Sequence, residues 1–181
     1  QRLNIAIARG PEEDVLERFL IAADQVRAQH IVRICGDNPL IDRQLMRLLI
    51  RAHLKENADY TITPDPIPLG TGTEVVKVKA LKNIAGTTTE PKYREHVTTW
   101  FHDNPAALIQ SRVPAPTYLI NKSHRLTVDT RSDLTLMEKI FDAFYTPKSP
   151  LPNLEKVIQF LDTRPDIAQL NSDIPQMNWR S

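Results

Sequence analysis

The sequence predicts an α/β protein with a mostly parallel sheet and flanking helices, on three observations. Two short apolar runs, LNIAIA at 3–8 and HIVRIC at 30–35, each stop at or just before a Gly and are each followed by an amphipathic helical pattern. The alternation strand, helix, strand, helix is complete within the first 55 residues, the spacing expected of crossover helices on a parallel sheet. The composition is that of an ordinary globular chain, 41% hydrophobic and 25% charged, and 181 residues suffice to bury about 70% of the unfolded surface.

Taken in order, LNIAIA reads as a first strand, and Pro11-Glu12-Glu13-Asp14 places Pro and acids in the first turn of a helix. Leu16, Phe19, Leu20, Ala23 and Val26 fall on one face of that helix, which is expected to pack on the sheet. HIVRIC reads as a buried strand ending in a tight turn at Gly36-Asp37-Asn38-Pro39. Asp42 then caps a helix with Leu45, Leu48, Leu49 and Ala52 on one side. Residues 59–63 read as a strand. The following PDPIPLGTGT holds three prolines and two glycines in ten residues, so it is expected to be a long surface loop with a functional role. TEVVKVKA alternates as a strand and KALKNIA repeats as a helix, which leaves the boundary within 74–85 open. A helix is expected over 91–102 and strands over 108–113 and 125–129. Thr130-Arg131-Ser132-Asp133 matches a capping box opening a helix with Leu134, Met137, Phe141 and Phe144 on one face. One more helix is expected near 153–162, inside a Pro-rich helical tail at 147–181. No repeat or interdomain linker is visible, so the chain reads as one domain, 1–181.

Charge and cysteine usage narrow the function classes. With 23 Lys and Arg against 22 Asp and Glu, the net charge of +1 gives no electrostatic reason to expect nucleic acid or a membrane surface as partner. No apolar stretch approaches the ~18 residues of a membrane span. The single Cys35 excludes an internal disulfide framework and reads as a small buried hydrophobe, and a cytoplasmic location is expected. The five histidines show no zinc-ligand spacing. Only 5 glycines stand against 14 prolines, which leaves few places for a loop that cradles phosphate.

The candidate chemistry lies in two carboxylates. Asp37 follows one expected strand and Asp129 ends another, and each precedes a capped helix, so both are expected at the carboxyl edge of the sheet, where ligands bind in open α/β folds. Two such acids suit one Mg²⁺, a hard cation, better than zinc. The competing reading is that an Asp after a strand forms a turn or caps a helix. Arg9, Arg18 and Arg33 lie on or beside the first two strands and are candidates for nucleotide phosphate, with surface ion pairing as the alternative. GTGT at 70–73 is a weak phosphate motif, matching neither standard Gly-rich pattern.

In this order, ARGPEEDVLERF, IVRICGDNPLID, ADYT, PLGTGTEV, YREHVT and RLTVDTRSDL resemble the cytidylyltransferases of spore coat polysaccharide biosynthesis. These are relatives of the synthetases that make CMP-activated acidic sugars such as neuraminate and Kdo. The resemblance runs from Asn4 to Tyr145. It implies the Rossmann-like nucleotide-diphospho-sugar transferase fold and a reaction in which a sugar hydroxyl attacks the α-phosphorus of CTP and releases pyrophosphate. It also implies that Asp37 and Asp129 hold Mg²⁺ on the triphosphate, and it makes Glu74, Arg94, Glu95 and His96 candidates for the sugar-side pocket.

The family pattern begins with a strand and a phosphate-binding loop that nothing here resembles. The sequence is expected to join the pattern at its third strand, about two βα units or roughly 60 residues in. Besides CMP transfer to a sugar, this leaves two other readings open: a non-catalytic binding or assembly module, and a nucleotide-sugar glycosyltransferase on the same fold class. A homodimer is expected from unpaired sheet edges and apolar residues between Leu151 and Phe160.

Overall fold

The structure, a computed structural model, describes residues 5–175. Four short strands, β1 (His30–Arg33), β2 (Tyr60–Ile62), β3 (Glu74–Lys77) and β4 (Gln110–Arg112), form one sheet in the order β1-β3-β2-β4. β2 and β3 pair antiparallel, with Tyr60 opposite Val76 and Thr61 opposite Val75. Bonds from Asp59 N to Ile109 O and from Val113 N to Ile62 O advance in the same sense along β2 and β4, a parallel pairing. The α/β class therefore holds, with a mixed sheet. The ambiguous segment resolves into β3 up to Lys77 and helix α3 (Val78–Thr87) directly after it, so both of its periodicities are real.

Helix α1 (Val15–Val26) starts four residues later than the Pro11 expectation, because the Asp14 side chain caps it by accepting from Glu17 N at 2.9 Å. Leu16, Leu20 and Ala23 are buried as expected, while Val26 is exposed. Leu3 and Asn4 of the expected first strand lie outside the described residues. The remainder, 5–8, forms no strand, and Ile5 and Ile7 are 67% and 68% exposed. An apolar run becomes a strand only where another strand takes up its backbone hydrogen bonds. Helix α2 (Arg43–Lys55) follows its cap Asp42, whose carboxylate accepts from Leu45 N, and Leu45 and Leu49 are fully buried.

By contacts, the chain divides into two compact units, neither a continuous segment. The first comprises Gln1–Val32, Ile50–Thr61 and Val75–Ser111. In it α1 packs on α3 and on α4 (Pro91–Glu95). The single helix expected over 91–102 is two, α4 and α5 (Thr99–Asp103). They are broken where Val97, Thr98 and Thr99 are all buried, a β-branched run that helices tolerate poorly. Arg94 of α4 pairs with the Asp14 carboxylate through Nε at 2.7 Å and through Nη2, and it also reaches the Ala85 carbonyl. Tyr60 stacks on Phe101, ring centroids 4.7 Å apart, and both are fully buried.

The second unit comprises Arg33–Leu49, Ile62–Glu74 and Arg112–Ser181. It holds α6 (Arg131–Phe144), α7 (Leu154–Thr163) and α8 (Pro165–Ala168), with α6 and α7 both packed on α8. The Thr130–Asp133 capping box is formed as expected. It turns Asp133 inward, so the buried face runs Asp133, Leu136, Met137, Ile140, and the expected Leu134 is exposed instead. RLTVD is not a ladder strand: it makes one bridge, Arg125 to Leu69, and its Val128 amide donates to the Asp37 carbonyl. The expected surface loop at 64–73 is irregular and docked on this segment. Leu126 N donates to Leu69 O at 2.7 Å. Gly70 has φ +89°, and a Cβ there would stand 2.6 Å from the Leu126 carbonyl and the Thr127 amide. Among the described residues no helix is long and apolar enough to cross a membrane.

Two predictions follow from buried groups. His53 is fully buried on α2, its Nε2 3.0 Å from His30 Nδ1 and its Nδ1 2.8 Å from Thr61 Oγ1. Burial, then the neighbouring His30 and Lys77, lower its pKa to about 4 against the opposing pull of Asp59. The folded state resists protonation and the unfolded state does not. Stability is thus complete above pH 6.5 and falls by about 3 kcal/mol between pH 7 and 4. Urea titrations across that range should show this loss, and His53→Gln should flatten it. At Gly70, substitution by Ala combines a left-handed φ with overlap on backbone, and denaturant unfolding should report a loss of about 2–4 kcal/mol.

Candidate functional site

The second unit brings four of the sequence-predicted residues together. Arg33 ends β1, and the chain then turns at Gly36-Asp37, closed by Asn38 N donating to Cys35 O at 3.2 Å. The Asp37 carbonyl accepts from Val128 N at 2.9 Å and from Thr127 Oγ1 at 3.4 Å, which fixes the turn beside the segment that ends in Asp129. Both aspartates therefore lie on adjoining backbone, as their positions after two apolar runs suggested. Glu74 pairs with Arg33 at 2.8 Å, and both side chains are largely buried.

Cys35 reports the field these groups create. It is half-buried, where a small buried hydrophobe was expected. Burial pushes its thiol above the ordinary value, Arg33 pulls it down, and Asp37, Glu74 and Asp129 push it further up. One cation and three carboxylates thus act on a single atom. Among the described residues no group of three or more His, Cys, Asp or Glu is gathered around one point. A pair of hard carboxylates completed by substrate phosphates is nevertheless the donor set that Mg²⁺ takes in phosphate-handling sites, so Asp37 and Asp129 fit that ion.

The Asp129 carboxylate is half exposed and accepts from Arg125 Nη2 at 2.5 Å. Arg125 is itself held by the fully buried Asp133, Nε to Oδ1 at 2.9 Å and Nη2 to Oδ2 at 3.3 Å. Asp133 Oδ2 also accepts from the Asp129 amide, the Thr130 amide and the Thr130 hydroxyl, while Asn171 Nδ2 donates to Oδ1 at 2.7 Å. Burial alone would raise the Asp133 pKa, but the bonds from Arg125, Asn171, Asp129 and Thr130 outweigh it and hold the carboxyl well below the usual range. Sequence reasoning credited Asp133 only with capping and missed Arg125 and Asn171. The signal available was the four-residue spacing of Arg125, Asp129 and Asp133.

The other predicted residues lie in the first unit. Arg9 is exposed. Arg18, expected toward phosphate, turns its Nη1 back onto the carbonyls of Pro11 and Glu12. Arg94, expected in a sugar pocket, is engaged by Asp14 and the Ala85 carbonyl. Glu95 is exposed at the end of α4 and His96 caps that helix. GTGT does not form a phosphate cradle: Gly70 packs on Leu126, and Thr71 is buried with its hydroxyl on the Pro68 carbonyl.

A cleft of about 770 Å³ in the second unit is lined by Lys122, His124, Arg125, Asp162, Asn171 and Ile174 among others. Lys122 and His124 both bond the Asp162 carboxylate.

The sequence matches the family model described as cytidylyltransferase over residues 1–172. It is 35% identical to the uncharacterized protein MJ1063 of Methanocaldococcus jannaschii, across 98% of this chain and 72% of that protein. It is 32% identical to the spore coat polysaccharide biosynthesis protein SpsF of Bacillus subtilis, across 90% of this chain and 67% of that one. Among solved structures it is similar in fold to a cytidylyltransferase from Leptospira borgpetersenii, with a TM-score of 0.79 over 94% of this chain and 69% of the other at 22% identity.

Truncating Asp133 to Ala leaves the Arg125 guanidinium with only the half-exposed Asp129 carboxylate and removes the acceptor of six hydrogen bonds. Chemical unfolding should report a loss of about 3–5 kcal/mol, the cost typical of removing one partner from a buried ion pair.

Proposed function

From the premise that this chain belongs to the cytidylyltransferase family, we propose that it transfers CMP from CTP to a sugar hydroxyl, with release of pyrophosphate, in the synthesis of a surface polysaccharide or glycan. The observation that carries this reading is the fixing of Asp37 beside the Asp129 segment by the Val128 amide on the Asp37 carbonyl. In the reaction the sugar oxygen forms a bond to the α-phosphorus, the bond from that phosphorus to the bridging oxygen of the β-phosphate breaks, and the hydroxyl proton is lost to solvent or a base. The difficulty is that a nucleophile with developing negative charge must approach a polyanion.

Asp37 and Asp129 are the residues that would hold Mg²⁺. That ion would supply positive charge to offset the triphosphate. Arg33 adds a cation in the same neighbourhood, and Glu74, through its 2.8 Å ion pair, keeps that guanidinium oriented. The relation to a polysaccharide product is supported by the likeness to SpsF.

Pyrophosphate release from CTP, Mg²⁺ and a panel of acidic sugars is the direct test. Asp37→Ala should lower the rate about 100-fold or more while leaving the unfolding midpoint close to that of the parent chain. Undiminished release in that variant would refute the assignment of Asp37.

A further inference from the structure

We infer that Arg125 is the residue that positions the Asp129 carboxylate for the cation, and that buried Asp133 and Asn171 lock Arg125 in place. This rests on the reading of Asp129 as a ligand of Mg²⁺.

Asp129 stands on the surface, half exposed, at the end of a segment that belongs to no strand ladder. A side chain so placed has free rotation unless something restrains it, and ordering it on arrival of a ligand carries an entropic cost. Two restraints are present, and both run to one buried group. The Asp129 amide donates to Asp133 Oδ2 at 3.1 Å, which fixes its backbone. Its carboxylate Oδ2 accepts from Arg125 Nη2, which fixes its side chain through one oxygen and gives Oδ1 no partner among the bonds found. Arg125 is 11% exposed and bonded through two nitrogens to Asp133, so it cannot swing away without abandoning a carboxylate that has no access to water. Asn171 closes the arrangement from the far side, donating both to Asp133 Oδ1 and to the Arg125 carbonyl.

An acidic ligand for a divalent cation is ordered before the cation arrives when a second residue holds one of its oxygens, because the other then points in a fixed direction. Arg125 supplies such a restraint from a rigid base. The arrangement also makes Arg125 distinct from Arg33, which pairs with Glu74.

The test is the affinity of the full chain for Mn²⁺ in the presence of CTP, followed by water-proton relaxation, with thermal unfolding measured in parallel. Arg125→Gln should weaken Mn²⁺ binding about 10- to 100-fold, the usual effect of removing a residue that orients a metal ligand. Arg125→Lys, which retains one donor, should recover part of that loss. Because Arg125→Gln leaves a buried charge unneutralised and can cost stability on its own, the double change Arg125→Gln with Asp133→Asn serves as a second variant, and it too should lose Mn²⁺ affinity. Unchanged Mn²⁺ affinity in either folded variant would overturn the inference. Asp129→Asn separates the two levels of the argument. If it weakens Mn²⁺ binding while Arg125→Gln does not, the positioning role fails and the ligand stands. If the parent chain retains no Mn²⁺ with CTP, the ligand reading fails and the positioning role fails with it.

Discussion

A carboxylate without access to solvent stays ionised only if its neighbours replace the water it has lost, and the second unit is organised around one such group. Asp133 takes hydrogen bonds from the guanidinium of Arg125, the amide of Asn171, two backbone amides and a hydroxyl. Those donors come from three places in the chain, Arg125, the adjoining Asp129 and Thr130, and Asn171. Meeting the demand of one buried charge therefore fixes the start of α6, the extended run before it and the turn after α8. The candidate site inherits its rigidity from that arrangement, since Asp129 stands between Arg125 and Asp133 in sequence and is bonded to both.

The first unit solves a similar problem differently. Its half-buried pair, Arg94 with Asp14, ties α4 to the cap of α1 and to the carbonyl end of α3, so the charge restrains helices. At its centre the buried polar group is a neutral imidazole satisfied by a hydroxyl and a second imidazole. Helix caps, ion pairs and a neutral network hold this part together. Paired charges hold the part where the candidate chemistry lies.

Much of this was legible in the sequence where a local rule decides the outcome. The Asp42 cap and the Thr130–Asp133 box are short-range geometries, and both formed where expected. The turn at Gly36-Asp37 and the irregular loop rich in Pro and Gly followed for the same reason. Errors arose where the partner is distant. RLTVD has the composition of a strand, but its neighbours are the Leu69 loop and the Asp37 turn, which offer single bonds and no ladder. The face of α6 rotated because Asp133 points inward toward Arg125 and Asn171, a contact spanning 38 residues that no periodicity reveals. Arg18 was read toward phosphate from its place beside the first strands and Arg94 toward a sugar from the likeness of YREHVT to family segments; the partners the fold gives them are the Pro11 carbonyl and the Asp14 carboxylate. Asp37 and Asp129 stand on adjoining backbone, though not by the expected route, since Asp129 ends a segment docked by single bonds and not a strand of the sheet.

The docking of Thr127 and Val128 on Asp37 joins residues 90 apart in the chain. Synthesis adds roughly 5–20 residues per second, so about 5 to 20 seconds separate the appearance of the Asp37 turn from the segment that anchors it. Gly70 waits in the same way for Leu126. On a translating ribosome the helices of the first unit are thus all made before the candidate site can close, and the nascent chain carries an unanchored turn and an undocked Pro-rich loop through that interval. The three prolines of the loop limit the conformations it can explore while it waits.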